Sequence, residues 1–425
     1  MKIGLSQQCI TPAFPVHLGG FSIERISNQK LDDLYVKVMV VEKDGEYFGV
    51  FTFDLLAVDD LIVKPIRTEI QKRNINEENF LFVATHTHSG PGGILETRRG
   101  LLCASEEIFI KTHTELIDKI IDKSILAFDD AMKDCRDTLL YYAKDVLENV
   151  GDNRNNRELK GNNDLSVLFM EQVEGKKAVL LNFACPPTVL NGTNLKVSAD
   201  FPGAIQTALK ADGYDMSFYL NGSCGDISTR FSRHSSDENE IYRYGKLFKQ
   251  KVMDMRGNAR RMDIDTIRFF QTKIRLHLKK TEGIELAQKQ LNTCMQNLND
   301  AKMKGITGSD LRLIESYKEG AEANLRLAKY PFDSDEVDVN IQFIKINSHV
   351  VICIPGELFS ELSNPLQNEN VHFVGYANGY LGYFTDKVAY DSFCYEALNS
   401  PFDKGEGERM MIFIAQLTDK LLKEE

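Results

Sequence analysis

Two histidines, His86 and His88, stand two residues apart at the end of an apolar run, within ATHTHSGPGG (84–93). In an extended segment, residues i and i+2 point to the same side. Two imidazoles so placed could ligate one metal, or one could ligate while the other hydrogen-bonds a substrate. The pair alone is a weak signal, because structural and surface pairs are about as common. The following SGPGG strengthens it, since glycines permit close backbone approach to a ligand. NGSCGDIS (221–228) brings Ser228 to a tight turn. A serine nucleophile needs a base or a metal and there is no GxSxG, so Ser228 by itself reads as a turn or cap residue. Glu357 follows Pro355-Gly356 and gains meaning only as a carboxylate partner of histidines. Arg154 and Arg157 in the polar loop 151–164, and Arg230 and Arg233 near Ser228, could grip an anionic or carbonyl oxygen. Tyr380, Tyr383, Tyr390 and Tyr395 crowd a short segment and read first as aromatic packing.

The elements that must hold these groups follow from hydrophobic patterning. LYVKVMVVE (34–42) and YFGVFTFDL (47–55) flank Lys43-Asp44-Gly45-Glu46 and predict a hairpin. A helix follows, capped by Asp59 or Asp60, with Leu61, Ile62, Ile66 and Ile70 at helical spacing. FLFVAT (80–85), KKAVLLNFAC (176–185), SFYL (217–220), DTIRFFQTKIRLHL (265–278) and HFVGYA (372–377) have strand character. VDVNIQFIKI (337–346) and VVICI (350–354) form a second hairpin around Asn347-Ser348. A long amphipathic helix is expected over 104–134, carrying Ile110, Ile117, Ile120, Ile121 and Phe128. Residues 281–330 turn helical and polar, broken at Gly305–Gly308, and predict a helical hairpin projecting from the core. Four strands end in glycine- or proline-bearing turns holding polar residues: His86/His88, Asn221–Ser228, Glu357 and Tyr380/Tyr383. Such strand ends hold side chains in fixed geometry.

The composition fits this picture. The chain has 425 residues, with 51 Lys+Arg against 62 Asp+Glu, a formal charge of −11. That acidic balance argues against nucleic acid or an anionic membrane as the main partner. No stretch approaches the roughly 18 apolar residues of a membrane span. MKIGLSQQCITPAF lacks the apolar run of a signal peptide. Eight scattered cysteines form no CxxC pair and read as reduced, mostly buried thiols. The expectation is a cytoplasmic protein of one domain (1–425) with the 281–330 hairpin inserted in it.

Taken together, the motifs resemble the neutral/alkaline (non-lysosomal) ceramidases in their N-terminal catalytic domain. CITPAFPVHLGGF (9–21), FTFDLLAV (51–58), ATHTHSGPGG (84–93), NFACPPTVL (182–190) with SADFPG (198–203), NGSCGDIS (221–228), PGELF (355–359) and NGYLGYFTDKVAYDSFCYE (378–396) run in that family's order. The resemblance implies an α+β fold: a four-layer α/β/β/α arrangement of two mixed β-sheets flanked by helices, with the helical hairpin inserted. It implies a hydrolase of sphingolipid metabolism that cleaves an N-acyl (amide) bond of a lipid or small molecule. One Zn is implied, with His86, Glu357 and Tyr383 as metal ligands. His88 would bond the substrate or oxyanion, Ser228 would be the site serine, and Arg154 and Tyr395 would contact the substrate amide.

One departure matters. The family's second histidine ligand falls where this chain has Pro186, and proline cannot ligate. The metal could be held by His86, Glu357 and Tyr383 with water, or Cys185 could step in, although neighbouring strand residues face opposite ways. The alternative is a degenerate family member that binds a lipid or small molecule without hydrolysis. Thr229 is a lesser departure, standing where the family usually has proline. The expectation is also of a protein without the additional C-terminal β domain of secreted ceramidases.

Overall fold

The computed structural model describes residues 1–96, 112–159 and 161–423. Among them, the larger of two main sheets has nine strands. Eight follow the order Met216–Asn221, Lys177–Phe183, Asp164–Gln172, Arg136–Val146, Lys2–Cys9, Tyr35–Lys43, Glu46–Phe53, Phe80–Ala84. The ninth, Arg260–Arg261, pairs with Arg136–Val146. The pairs are antiparallel except at the two edges, where Phe80–Ala84 runs parallel to Glu46–Phe53 and Met216–Asn221 parallel to Lys177–Phe183. A parallel pair needs a crossover. Helices Asp60–Gln71 and Phe201–Lys210 lie within these two crossovers. The second sheet holds Ile267–His277, Glu336–Ile346, His349–Cys353 and Val371–Val374.

Strand alternation sets the packing. On Tyr35–Lys43, Val36, Val38 and Val40 face one side, and Met39 and Val41 the other. The first set joins Phe51, Phe53, Phe80 and Phe82 against Ile62, Ile66, Ile70, Ile120 and Phe128 of two helices. The second set joins Leu81, Val83, Phe218 and Leu220 against Ile344, Cys353 and Val374 of the smaller sheet. Strands buried on both faces need apolar residues at nearly every position, which is why LYVKVMVVE reads as an almost unbroken run. The smaller sheet packs Val339, Ile341 and Phe343 against Met410, Met411 and Ile414 of helix Glu406–Lys423.

The first hairpin closes with Lys43 opposite Glu46. Its two turn residues, Asp44 and Gly45, have φ of 54° and 84°, the left-handed pair that a two-residue hairpin requires. Asp59 caps the first helix by accepting from the Leu61 N–H at 2.9 Å. The second hairpin turns at Asn347-Ser348, with Ile346 opposite His349. The helix expected over 104–134 is Thr114–Lys133 among the described residues. Thr112 and His113 precede it as irregular chain, and Ile110 lies outside the described residues. The polar stretch near 281–330 forms helices Ile284–Met303 and Gly308–Lys329. The second of these packs on helix Tyr395–Asn399, with no room for a Cβ at Gly320 beside Tyr395 Cα and Leu398.

Four strand ends are clasped by three backbone hydrogen bonds. Ala84 N–H donates to Tyr376 O at 3.2 Å, Gly375 N–H to Asn221 O at 3.0 Å, and Gly222 N–H to Phe183 O at 3.0 Å. The segments after Phe80–Ala84, Lys177–Phe183, Met216–Asn221 and Val371–Val374 therefore converge. Carboxyl ends of parallel strands are where open α/β sheets gather ligands.

Candidate functional site

His86 and His88 are brought together, but not by an extended backbone. The strand ends at Ala84, and His86 has φ of 67°. A left-handed non-glycine costs of order 1–3 kcal/mol and persists only when its surroundings hold it. Here His86 N–H donates to Leu55 O at 2.9 Å, and the ring Nδ1 lies 2.7 Å from Leu56 O. A carbonyl accepts only, so Nδ1 carries the proton and Nε2 presents its lone pair. That lone pair meets His88 Nε2 at 3.1 Å and lies 3.6 Å from Glu357 Oε2. Burial pushes His86 below its ordinary value, against the upward pull of Glu357, and pushes His88 well below. Burial thus favours the neutral form of both rings.

Glu357 is 4% exposed. Its Oε1 accepts from Tyr380 OH at 2.5 Å and its Oε2 from Tyr376 OH at 3.2 Å. The Tyr376 ring also stacks on His86 at 4.1 Å, and its hydroxyl reaches Cys224 Sγ at 3.4 Å. The tyrosine crowd is therefore not packing alone: two phenols orient the buried carboxylate. Tyr380 stood in that crowd and at a strand end, whereas Tyr376 lay unmarked within the strand segment 372–377. Tyr383 lies beside Glu357, because the short strands Glu357–Leu358 and Tyr383–Phe384 pair with those two residues opposite each other. Gly225 lets this ladder approach the Ser228 segment, since a Cβ there would sit 2.6 Å from Glu357 O.

Arg154 is fixed from three directions. Its Nε donates to Glu396 Oε1 at 2.5 Å, and its Nη2 to Gly225 O at 2.9 Å and to Tyr383 OH at 3.2 Å. Asn155 holds the other Glu396 oxygen at 2.8 Å. Burial opposes both charges, but Arg154 holds Glu396 below the usual carboxylate range, and Glu396 keeps Arg154 well above its own. Tyr395 stands edge-on to Tyr383 at 5.9 Å and accepts from Asn399 at 3.1 Å. Ser228 is buried, and its Oγ accepts from the Arg230 N–H at 3.1 Å, capping the turn Thr229–Phe231. Asp226, two residues earlier, is tied to Asn153 and Ser360 and pushed up to about 6 by burial.

Arg25 has no local sequence signal. Its Nη2 donates to His88 O at 2.6 Å and to Gly19 O at 2.5 Å, and its Nη1 to Asn194 O at 3.3 Å. It clamps the histidine loop by three carbonyls. Phe21 packs edge-on to the His88 ring at 4.8 Å.

Pro186 adds no donor, and Cys185 is turned away. Its thiol lies 3.7 Å from Val150 O within an apolar cluster that includes Phe183 and Val189, and burial pushes it well above the ordinary thiol value. Its neighbour Ala184 faces Tyr376 and Cys224 instead. Among the described residues, no group of three His, Cys, Asp or Glu side chains stands where one ion could be held. The donors that fit a metal are therefore His86 and Glu357 with a tyrosine hydroxyl. The 3.6 Å between Nε2 and Oε2 is close to the roughly 3.4 Å separating two ligands of a tetrahedral zinc. An N–H to a backbone carbonyl on the other ring nitrogen is the usual support of a metal-binding histidine.

The whole chain superposes on the neutral ceramidase from Pseudomonas aeruginosa with a TM-score of 0.75 at 18% identity, over 100% of this chain and 75% of that one. A ceramidase complexed with C2 aligns at TM-score 0.71 and 15% identity, over 99% and 75%. No protein-family model and no curated protein matches the sequence. The chain thus has a neutral-ceramidase-like fold, with mixed sheets and helices.

Proposed function

We propose that this chain is a ceramidase-like amide hydrolase that cleaves an N-acyl bond with the help of one zinc ion. The carrying observation is the buried constellation of two histidines, Glu357 and the phenols that orient it. His86 Nε2, Glu357 and Tyr383 would hold the metal. When bound, zinc supplies a Lewis acid and a water of pKa about 7. His88, whose Nε2 carries the proton in its contact with His86, would turn that N–H to the substrate carbonyl or the developing oxyanion. Arg154, with its Nε and Nη2 committed, would direct Nη1 to the substrate amide, next to Tyr395. Ser228 would line that side of the site. Phe21, with the exposed Ile23 on the same segment, offers apolar surface beside His88 for an acyl chain. The substrate is ceramide itself or another lipid or small-molecule amide.

This reading includes the four-layer helix–sheet–sheet–helix order and one domain over 1–425 with the helical hairpin as an insertion. The seven described cysteines are unpaired, which supports a reducing, cytoplasmic setting. No described helix is long and apolar enough to cross a membrane. A second reading, ligand binding without hydrolysis, is favoured by Pro186 and by the inward turn of Cys185.

Hydrolysis of N-acyl amides, ceramide included, by wild type and His86→Ala is the test, with circular dichroism to check the fold. The variant should lose at least about 100-fold in activity and should lose zinc binding. Full activity in a folded His86→Ala protein would contradict the metal-assisted reading.

A further inference from the structure

Five arginines gather around the turn that follows Ser228, and most have their own counter-charge. Arg154 pairs with Glu396 at 2.5 Å, Arg157 with Asp310 at 2.8 Å, and Arg312 with Glu319 at 2.7 Å. Arg233 donates only to uncharged oxygens, those of Thr188, Val189 and Thr229. Arg230 differs from all of these. Its backbone is held at both ends, N–H on Ser228 Oγ at 3.1 Å and carbonyl under Ser309 Oγ at 3.3 Å. Among the described residues its guanidinium has no hydrogen bond and no ion pair, although the residue is half-buried. The groups that face it are Arg154, Arg312 and Arg233, with Glu396 as the opposing acid. Glu396 is already divided between Arg154 and Asn155. Burial first, and then these like charges, push Arg230 down to about 9.

A second feature converges on the same place. Helix Gly308–Lys329 begins beside Arg230 through Ser309, and its N-cap residue Thr307 makes no side-chain cap. The N–H groups of a helix start favour negative charge. Among the described residues this guanidinium meets three like charges and has no counter-charge of its own, an arrangement that favours an incoming anion. It is unexpected in a chain carrying 11 more acidic than basic side chains.

We infer that Arg230, with the start of helix Gly308–Lys329, is an anion-binding subsite for a carboxylate or phosphate on the amine-side portion of the substrate. The preferred substrates are then N-acyl amides bearing an anionic group, such as N-acyl amino acids or phosphorylated N-acyl amines. This assignment rests on the amide-hydrolase reading for the acyl part of the ligand. A planar guanidinium recognises either anion through paired N–H donors.

The test is direct binding, by calorimetry, of three probes that share one acyl chain: N-dodecanoylglycine, N-dodecanoylethanolamine phosphate and neutral N-dodecanoylethanolamine. At least one anionic probe should bind about tenfold or more tightly than the neutral one, as expected for a charge-assisted contact. The stronger of the two anions identifies the headgroup. Arg230→Gln should collapse that preference, and Arg230→Lys should retain part of it. Equal binding of the probes, no binding of either anion, or a preference that survives Arg230→Gln would overturn the subsite. Binding needs no turnover. Anion-selective binding without cleavage would sink the hydrolase reading and leave the subsite standing.

Discussion

Two strand ends whose following segments converge have been treated in opposite ways. After Phe80–Ala84, the chain buries His86 and His88, and draws in Glu357 with two phenols. Among the described residues, polar atoms there remain without partners: His88 Nδ1, Thr85 Oγ1 and, on the adjoining segment, Ser223 Oγ. After Lys177–Phe183, the corresponding turn is closed off. Cys185 points into an apolar cluster, its carbonyl accepts from Tyr219 OH at 2.7 Å, and Thr188 O accepts from Thr229 Oγ1 at 3.0 Å. Buried polar groups without partners are rare and ask for an explanation. The first strand end keeps groups that a ligand would satisfy, and the second satisfies itself.

The largest effect is expected from breaking the polar side. Glu396→Gln leaves Arg154 buried without its charge, and loss of one partner of such a pair costs about 3–5 kcal/mol. Cys185→Ala, a small change in the self-satisfied turn, should cost about 1 kcal/mol. Urea unfolding of both variants measures the contrast, and equal losses would erase it.

A smaller effect is expected at the closed strand end. Pro186→His offers a side-chain donor there, and zinc affinity should rise about tenfold or more, on the scale of a supported ligand contact. Competition with a chromophoric chelator reads this directly. Unchanged affinity would mean that position 186 does not face the metal.

The smallest effect concerns how the segment after Pro186 is held. Asp32 accepts from Ser198 Oγ at 2.5 Å and Ala199 N–H at 2.7 Å, with Asp54, Asp200 and the buried Lys37 nearby. Burial pushes it up to about 7 from 3.8. A raised acid holds its proton more tightly in the folded chain. Its stabilising contribution is therefore complete below the unfolded value and is lost as pH rises through about 7. Asp32→Asn keeps the shape and removes the titration. The fall in Tm between about pH 4 and 7 should flatten by a few degrees, and an unchanged slope would assign the titration elsewhere.

Much of the fold was legible because apolar runs and turn residues are local signals. Asp44-Gly45 and Asn347-Ser348 turned where expected, and the strand into His86 stopped at its glycine-rich segment. The start of the long helix was not legible. Thr112 and Thr114 are both of a type that suits an N-cap, yet His113 takes that position and makes no side-chain cap. At the site, His86, His88, Glu357 and Arg154 were singled out by type and position, and the resemblance added their roles with Tyr383 and Tyr395. The contacts that hold them were not legible, since the partners lie far apart in sequence: Arg154 and Glu396 are 242 residues apart. Arg25 was silent for a related reason. It binds carbonyls, and backbone oxygens carry no residue identity.

The zinc site stands or falls on the metal content of untagged protein purified without chelator. The expected result is close to one zinc per chain, and none in His86→Ala. A wild-type protein that holds no metal after incubation with excess zinc would contradict the hydrolase reading and leave His86, His88 and Glu357 as a binding site.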